Sequence, residues 1–258
     1  MKERTGIQSV EVGFALVQAL ANATEPLMLR DLALLAGMNA AKAHRYLVSY
    51  QRLGLVLQDP QSTRYDLGPA ALKLGLASLS RLDAVSLARA RCTDLLGIAG
   101  QVMAVAVWGN RGPVIVHWAE AARSVTVNLR LGDVMPLLSS ATGRCFAAFE
   151  PPLLVQPLLQ AELKEAAKQP RAGVPSSLAE TKQLLEQVRT NGIACADGSL
   201  IAGIVGFCAP VFDSSGRLIV GLVGMGPASH MDAATTGAQA RALLAAAQAL
   251  SGDLGYAV

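Results

Sequence analysis

Three helix patterns in a row, followed by two short strand patterns, constrain the fold more than any other feature of the chain. Apolar residues over 8–21 recur at the spacing of one helix face, and a second short run, about 30–36, ends at Gly37. Asn39 is a typical N-cap and predicts a third helix to about residue 53. This order of helices, with a Gly-x-Asn turn before the last one, indicates a tri-helical helix-turn-helix.

The residues that follow indicate a two-stranded wing. Residues 55–58 and 64–68 have strand-forming patterns, and the turn sequence Asp-Pro-Gln-Ser-Thr at 59–63 separates them. In the third helix, Ala43 and Leu47 fall on the side that packs inward. The N-terminal part is therefore predicted to be a mainly α winged helix-turn-helix, a fold whose last helix enters the major groove of DNA.

Charge supports this interpretation only when it is divided by segment. The chain has 258 residues and a formal net charge of +3. Residues 39–64 hold four basic residues and one acidic residue, so this segment alone accounts for a charge equal to that of the whole chain. Four basic residues could also form an ordinary solvated face, and a small helical domain that binds protein remains an alternative. The helix order and the wing favour DNA.

The expected DNA contacts come from the third helix and the wing. Lys42 and Arg45 lie on the side opposite Ala43 and are expected to reach the bases or phosphates. His44 could lie near a phosphate or contribute to packing, and Arg52 could contact a phosphate or only carry a helix-end charge. The residues predicted to contact DNA are Asn39, Lys42, His44, Arg45, Arg52 and Arg64.

The rest of the chain alternates helices with hairpins. We expect a winged helix-turn-helix over 1–68, a linker helix over 69–83 and a second domain over 84–258. The elements predicted in that domain are helices over 85–99, 145–149, 153–168, 177–191 and 232–250, and strands over 102–108, 114–118, 124–131, 204–212 and 218–225. Hairpins connect several of these strands, so the pattern predicts an α+β domain with an antiparallel sheet.

Composition and cysteine spacing exclude several protein classes. The chain is 52% hydrophobic with a mean hydropathy of +0.38, yet its longest stretch without a charged residue, 95–110, is too short for a membrane-spanning helix. The N-terminus has no apolar block typical of a signal peptide. Four scattered cysteines with no Cys-x-x-Cys spacing argue against a zinc site and a disulfide framework. We therefore expect a cytoplasmic protein without metal or cofactor.

The sequence also offers little for catalysis. The histidines are His44, His117 and His230, and none belongs to a recognised catalytic motif. We predict that the protein is not an enzyme. The alternative is a DNA-binding head joined to a catalytic or redox-sensing domain, in which Cys195 and Cys208 could respond to oxidation or could be inert buried thiols.

Short motifs along almost the whole chain resemble the IclR family of bacterial transcriptional regulators. They are Ile7-Gln8-Ser9-Val10, His44-Arg45, Leu53-Gly54-Leu55-Val56, Tyr65-Asp66-Leu67-Gly68, Leu74-Gly75, Gly132-Asp133, Pro136-Leu137, Ala141-x-Gly143-Arg144, Asn191-Gly192-Ile193-Ala194, Ala209-Pro210-Val211-Phe212-Asp213 and Gly226-Pro227. The resemblance implies a winged helix-turn-helix joined to a GAF-like, small-molecule-sensing domain. It also implies a homodimer or homotetramer on palindromic double-stranded operators, with effector binding changing operator affinity through the 69–83 helix.

The same resemblance implies an effector pocket, with departures from the family pattern. The amides of residues 141–143 suit a carboxylate at a helix N-terminus. Side chains around them are less polar than is usual in the family, so we expect an apolar, benzoate-like acid, although these residues could instead be ordinary core. The expected effector residues are Leu129, Leu138, Ser140, Ala141, Thr142, Gly143, Asp197, Gly206, Cys208, Val223 and Met225.

A further departure concerns the DNA-binding helix. The family's usual Pro-Lys-Ser-Thr start is replaced by Asn39-Ala40-Ala41-Lys42. This removes hydroxyl donors and places more of the DNA reading on Lys42 and Arg45.

Overall fold

The structure is a computed structural model that describes residues 6–79, 83–121 and 129–257. Contacts divide the chain into two compact units, Met1–Leu82 and Asp83–Val258. No helix in the described ranges is both long and apolar enough to cross a membrane.

The N-terminal unit has the predicted order of three helices and a wing. Its elements are α1 (Gln8–Asn22), α2 (Leu29–Leu35), α3 (Ala40–Arg52), β1 (Val56–Gln58), β2 (Tyr65–Leu67) and α4 (Pro69–Leu79). Fully buried leucines from each of the first three helices, Leu16, Leu32 and Leu47, form the centre of its core. Burial of these side chains is the main force that holds the short helices together, because helices of this length are marginal alone.

The turn between α2 and α3 is built as the sequence indicates. Gly37 adopts a left-handed conformation with φ of 65°, which a residue with a Cβ would rarely take. The Asn39 side chain then caps α3 by accepting a hydrogen bond from the Lys42 amide at 2.8 Å. Glycine and asparagine therefore fix where α2 ends and α3 begins.

The wing contains one partner that the sequence patterns did not indicate. β1 and β2 pair antiparallel, and Leu27 adds to the outer side of β2 through two backbone hydrogen bonds with Tyr65. The Asp59 carboxylate accepts bonds from the Ser62 hydroxyl and from turn amides, which lowers the pKa of Asp59. The wing is thus tied to the segment between α1 and α2.

The C-terminal unit is the predicted α+β domain. Its elements are α5 (Ala84–Leu95), β3 (Val102–Gly109), β4 (Gly112–Glu120), α6 (Ala141–Phe149), α7 (Pro152–Lys168), α8 (Leu178–Asn191), β5 (Ala194–Asp197), β6 (Ile204–Phe212), β7 (Leu218–Pro227) and α9 (Ala238–Asp253). The strands form one antiparallel sheet in the order β4-β3-β7-β6-β5.

Helices cover both faces of this sheet. Residues of α6, α7 and α8 pack against one face, and residues of α5 and α9 pack against the other. Because both faces are covered, β6 and β7 read as nearly continuous apolar runs and not as alternating ones.

Several predicted boundaries in this unit were wrong. α5 ends at Leu95 instead of residue 99, because Gly97 takes a left-handed turn with φ of 83°. α6 begins at Ala141, four residues earlier than predicted, and α9 begins at Ala238 instead of residue 232. The predicted strand over 124–131 lies mainly outside the described residues. The short strand β5 was not predicted.

Candidate functional site

The outward side of α3 carries the basic residues of the N-terminal unit. Ala43 and Leu47 are fully buried, whereas Lys42, Arg45 and Arg52 are exposed. Arg45 and Arg52 are two helical turns apart and therefore lie on the same side. We call the outward side of α3, formed by Ala41, Lys42, Arg45, Ser49 and Arg52, the recognition face.

An open depression lies along the recognition face. It is lined by Ser9, Asn39, Ala41, Lys42, Arg45, Tyr46 and Ser49. Four of these residues, Ser9, Ala41, Tyr46 and Ser49, were not predicted to contact DNA. Helical periodicity could have indicated Ser49, which follows Lys42 by seven residues, but Ser9 comes from α1 and depends on tertiary structure.

The other predicted DNA residues take different places. The Asn39 side chain is engaged as the α3 cap. His44 is exposed, which excludes the packing role considered for it. The Arg64 guanidinium donates to the Pro26 carbonyl at 2.8 Å, so this residue helps to hold the wing, while its side chain stays exposed.

A second polar site lies at the start of α6. Ser140 is the N-cap, and its Oγ accepts a hydrogen bond from the Gly143 amide at 2.8 Å and donates one to the Pro136 carbonyl at 2.6 Å. A Cβ at Gly143 would lie 1.9 Å from the Pro136 oxygen. Only glycine therefore lets α6 approach the segment before it so closely.

A small cavity, which we call the α6 cavity, lies in front of this helix start. Its volume is about 30 Å3. It is lined by Leu129, Met135, Ser140, Ala141, Thr142, Ala196, Leu200, Ile201, Ile204, Gly206, Val223 and Met225. The structure thus brings seven of the eleven predicted effector residues together around one space.

Four predicted effector residues do not line the α6 cavity. Leu138 is buried beside a separate groove of about 580 Å3 next to α7, and its amide donates to the Glu162 carboxylate at 3.0 Å. The Gly143 amide is occupied by Ser140, so it is unavailable to a ligand. Asp197 is exposed, and Cys208 packs in the core with Cys145. Sequence patterns could not show that Leu138 lies beside the groove next to α7 and not in the α6 cavity.

Three donors at the α6 cavity lack a partner within the described part of the chain. They are the amides of Ala141 and Thr142, which as first-turn amides of α6 have no acceptor within the helix, and the Thr142 hydroxyl, which lines the cavity and is not a fully buried atom. Among the described residues, the buried side-chain polar atom without a partner is Gln101 Oε1. A helix N-terminus carries a partial positive charge, and its free first-turn amides point at whatever lies in front of it. This arrangement favours an acceptor with negative charge.

A buried arginine holds the surrounding loops. The Arg144 guanidinium donates to the carbonyls of Leu138, Cys195 and Gly173 at 2.8, 2.6 and 2.5 Å, and to the Ser199 hydroxyl at 3.2 Å. Burial lowers the pKa of Arg144. One side chain thereby joins the start of α6, β5 and the loops that contain Gly173 and Ser199.

The positions of Cys195 and Cys208 do not favour a disulfide between them, which was the redox role considered from the sequence. On β5 and β6, Cys195 pairs with Phe207 and Ala194 pairs with Cys208, so the two thiols point to opposite faces of the sheet. Burial raises the pKa of Cys195 to about 11 and that of Cys92 to about 12. These thiols are protonated at neutral pH, a state that reacts slowly with oxidants.

Metal binding finds no support among the described residues. His, Cys, Asp and Glu side chains form no group of three or more there that could hold a metal ion. His117 lies on β4, and burial and the nearby Arg89 charge lower its pKa. His230 contacts the Ser229 hydroxyl through Nδ1 at 2.8 Å in a loop.

Family models match both units. A model for the IclR helix-turn-helix domain matches residues 9–60, and a model for the bacterial transcriptional regulator IclR C-terminal domain matches residues 76–252. The chain belongs to the IclR family. This IclR-family protein is a DNA-binding transcriptional regulator with a C-terminal effector domain, and its relatives are regulators, not enzymes.

Full-length relatives agree with this assignment. The glycerol operon regulatory protein of Streptomyces griseus is 31% identical over 255 residues, covering 96% of this chain and 97% of the relative. The crystal structure of HmgR from Pseudomonas aeruginosa is 39% identical, with a TM-score of 0.86 over 97% of this chain and 99% of that one.

A more distant member of the fold was crystallised with a ligand. It is an IclR homolog from Microbacterium hydrocarbonoxydans complexed with 4-hydroxybenzoate. It is 17% identical, with a TM-score of 0.54 over 95% of this IclR-family chain and 98% of that one. At this identity the similarity is one of fold.

Proposed function

We propose that this protein controls a catabolic or metabolic operon in the cytoplasm and senses a small apolar acid, of benzoate type, in the α6 cavity. The observation that carries the proposal is the set of unpartnered donors at that cavity, the amides of Ala141 and Thr142 and the Thr142 hydroxyl. A carboxylate placed there would satisfy all three and interact with the helix N-terminus.

The other residues that line the cavity favour a ligand that is apolar apart from its carboxylate. Met135, Val223 and Met225 are nearly fully buried around the cavity, and Gly206 leaves room where another residue would project a side chain. A very polar acid such as glyoxylate would leave this surface without complementary contacts, whereas an aromatic ring would bury it. The distant relative crystallised with 4-hydroxybenzoate is consistent with this, because the fold accommodates an aromatic acid.

The cavity must enlarge to hold such a ligand. Its volume of about 30 Å3 has room for about two water molecules, while a cavity that binds benzene measures about 150 Å3. Leu200, Ile201 and Ile204 are only half-buried on its outer side. We expect these side chains to move when the effector binds, which also gives binding a means to change the protein's conformation.

A panel of acids tests the proposal. Isothermal titration of the purified full-length protein should show tighter binding of benzoate than of glyoxylate, and no binding of benzamide at the same concentrations. Thr142→Val keeps the shape but removes the hydroxyl, and it should weaken benzoate binding about tenfold.

Two glycine variants separate the cavity from general effects. A Cβ at Gly206 would lie 3.8 Å from the Ala141 Cβ, an ordinary contact, so Gly206→Ala should fold normally and weaken benzoate binding by filling the space. Gly252→Ala is the matched control, since a Cβ there meets nothing within 4 Å. Preference for glyoxylate, or equal benzoate affinity in Gly206→Ala, would contradict the proposed pocket.

We propose further that the recognition face binds operator DNA through Lys42, Arg45 and Arg52. Arg45→Ala should weaken binding to an operator selected from random duplexes by about 1–3 kcal/mol at fixed salt. Arg241→Ala removes the same charge from an exposed site of α9 and is the control. If both variants lose affinity equally, the recognition face has no special role.

The protein is also proposed to be a homo-oligomer. Val10 and Phe14 on α1, and Leu72 and Leu76 on α4, are each more than half exposed within the N-terminal unit. Exposed apolar surface of this kind is typical of an interface with another copy. Analytical ultracentrifugation should show a dimer or tetramer for the wild type and a smaller species for the double variant Leu72→Glu, Leu76→Glu; identical masses would refute this interface.

A further inference from the structure

The first turn of α3 is unusual in what it offers to a DNA base. Ala40 and Ala41 are both exposed, and Asn39 precedes them. The Asn39 Oδ1 is occupied by the Lys42 amide. Bidentate pairing of an asparagine with adenine needs that oxygen to accept from the adenine N6, so Asn39 could read adenine in this way only by giving up the cap.

The two alanines lie on different sides of the helix. Ala41 is four residues before Arg45, one turn away on the recognition face, and it lines the same depression as Lys42 and Arg45. Ala40 is exposed but does not line the depression, because it lies on the side of α3 that carries the buried Leu47 seven residues later. Ala41 is therefore the methyl group that the recognition face presents beside its cations.

We propose that Ala41 reads a thymine in each operator half-site by packing its methyl group against the C5-methyl of that base, next to a guanine read by Arg45. Thymine is the base that presents a methyl group in the major groove, and alanine is a typical contact for it. Arginine commonly pairs with guanine O6 and N7. The N-terminal residues of a recognition helix are the ones that contact base edges, which suits Ala41.

This inference rests on the proposed placement of α3 in the major groove. The experiment begins with duplexes selected from random sequence by the full-length protein. In the selected operator, each thymine is replaced in turn by deoxyuridine, symmetrically in both half-sites. This substitution removes the C5-methyl and leaves every hydrogen-bonding group in place.

One thymine position should respond. Its replacement should raise the Kd of the wild type about threefold to fivefold per half-site, the factor that corresponds to one buried methyl group. The responsive thymine should lie within one or two base pairs of a guanine whose replacement has no further effect in Arg45→Ala.

A double-mutant cycle assigns the contact to Ala41. Ala41→Gly should bind the thymine operator more weakly and should lose the response to deoxyuridine. Ala40→Gly is the matched control, since it introduces the same helix-weakening residue in the same turn. It should keep the full response.

The outcomes distinguish the inference from the proposal on which it depends. If Arg45→Ala weakens binding but no thymine responds by more than twofold, or if the response persists in Ala41→Gly, thymine reading by Ala41 is wrong while the recognition face stands. If Arg45→Ala and the Arg241→Ala control bind equally well, the placement of α3 fails, and the inference fails with it.

Discussion

Two helices of this protein begin in the same way and face opposite surroundings. α3 and α6 each start with a polar cap whose side chain accepts a hydrogen bond from the amide three residues later, Asn39 from Lys42 and Ser140 from Gly143, both at 2.8 Å. The start of α3 is exposed beside exposed cations, whereas Ser140 is 1% exposed.

Under the proposed function, the same local chemistry serves two kinds of ligand. At α3, long exposed side chains carry positive charge into solvent. There they can attract the phosphates of DNA of any sequence and contact the edges of individual bases. At α6, the charge is that of backbone amides in a closed space, where only a small acceptor of suitable shape fits. The following predictions test this contrast, from the largest expected effect to the smallest.

The buried network behind α6 should be the most sensitive point. Arg144→Ala would leave four acceptors without their donor and create a cavity, so we expect the C-terminal unit to lose about 3 kcal/mol or more of its free energy of unfolding. Both tryptophans of the chain, Trp108 and Trp118, lie in this unit, so urea titration followed by tryptophan fluorescence reports on it selectively.

Arg144→Lys keeps the charge but cannot reach all four acceptors, and its loss should fall between those of wild type and Arg144→Ala. Arg171→Ala, at an exposed position, is the control and should unfold like the wild type. An Arg144→Ala protein as stable as the Arg171→Ala control would show that the network contributes no stability.

The second largest loss of stability is expected at Gly143, where α6 lies very close to the Pro136 carbonyl. Gly143→Ala would force a Cβ to 1.9 Å from a carbonyl oxygen, and we expect a loss of about 2–3 kcal/mol in the same titration. Gly206→Ala, in ordinary contact with its neighbours, should change the free energy of unfolding by less than about 0.5 kcal/mol. Equal losses of free energy for the two substitutions would contradict this prediction. They would mean that the start of α6 can shift to accommodate the added Cβ.

How well the sequence predicts each region depends on how far apart along the chain the interacting residues lie. The start of α3 depends on Gly37, Asn39 and an apolar spacing within one turn, all local, so it was predicted within a residue. The α6 cavity depends on strands β6 and β7 that lie sixty or more residues away, and on Arg144 reaching Gly173 and Ser199.

Individual residues show the same limit. Family resemblance named Ala141 and Thr142, and both line the cavity. It could not show that the Gly143 amide is used by the Ser140 cap, or that Leu138 faces a different groove beside Glu162. Neither could strand patterns show that Cys195 and Cys208 point to opposite faces, because that depends on the register of β5 against β6.

The two caps provide a direct comparison. Asn39→Ala should cost about 1 kcal/mol, the usual value for an N-cap at an exposed helix. Ser140→Ala should cost about 2 kcal/mol, since it also removes the bond to the Pro136 carbonyl and leaves buried groups unpaired. Hydrogen exchange followed by mass spectrometry can compare the opening of the peptides covering α3 and α6 in each variant. A larger loss for Asn39→Ala would reverse the expected order of the two sites.

The smallest effect should come from cysteine oxidation, which can act on only one of the two units. All four cysteines lie in the C-terminal unit. With the pKa of Cys195 raised to about 11, its thiol is almost fully protonated at pH 8, and the fraction of reactive thiolate rises as the pH rises towards that value. Iodoacetamide should therefore alkylate Cys195 at pH 8 about tenfold more slowly than free cysteine, allowing for the higher nucleophilicity of a thiolate with a high pKa.

Mass spectrometry of the labelled peptide measures that rate, and Cys195→Ser identifies the signal. Hydrogen peroxide at millimolar concentration should then leave operator affinity unchanged within twofold, while benzoate changes it. A peroxide effect that Cys195→Ser abolishes would overturn this order, because it would make the C-terminal unit a redox sensor as well as a ligand sensor. The raised pKa, the opposite orientations of Cys195 and Cys208 and the unpartnered donors of α6 all favour the ligand.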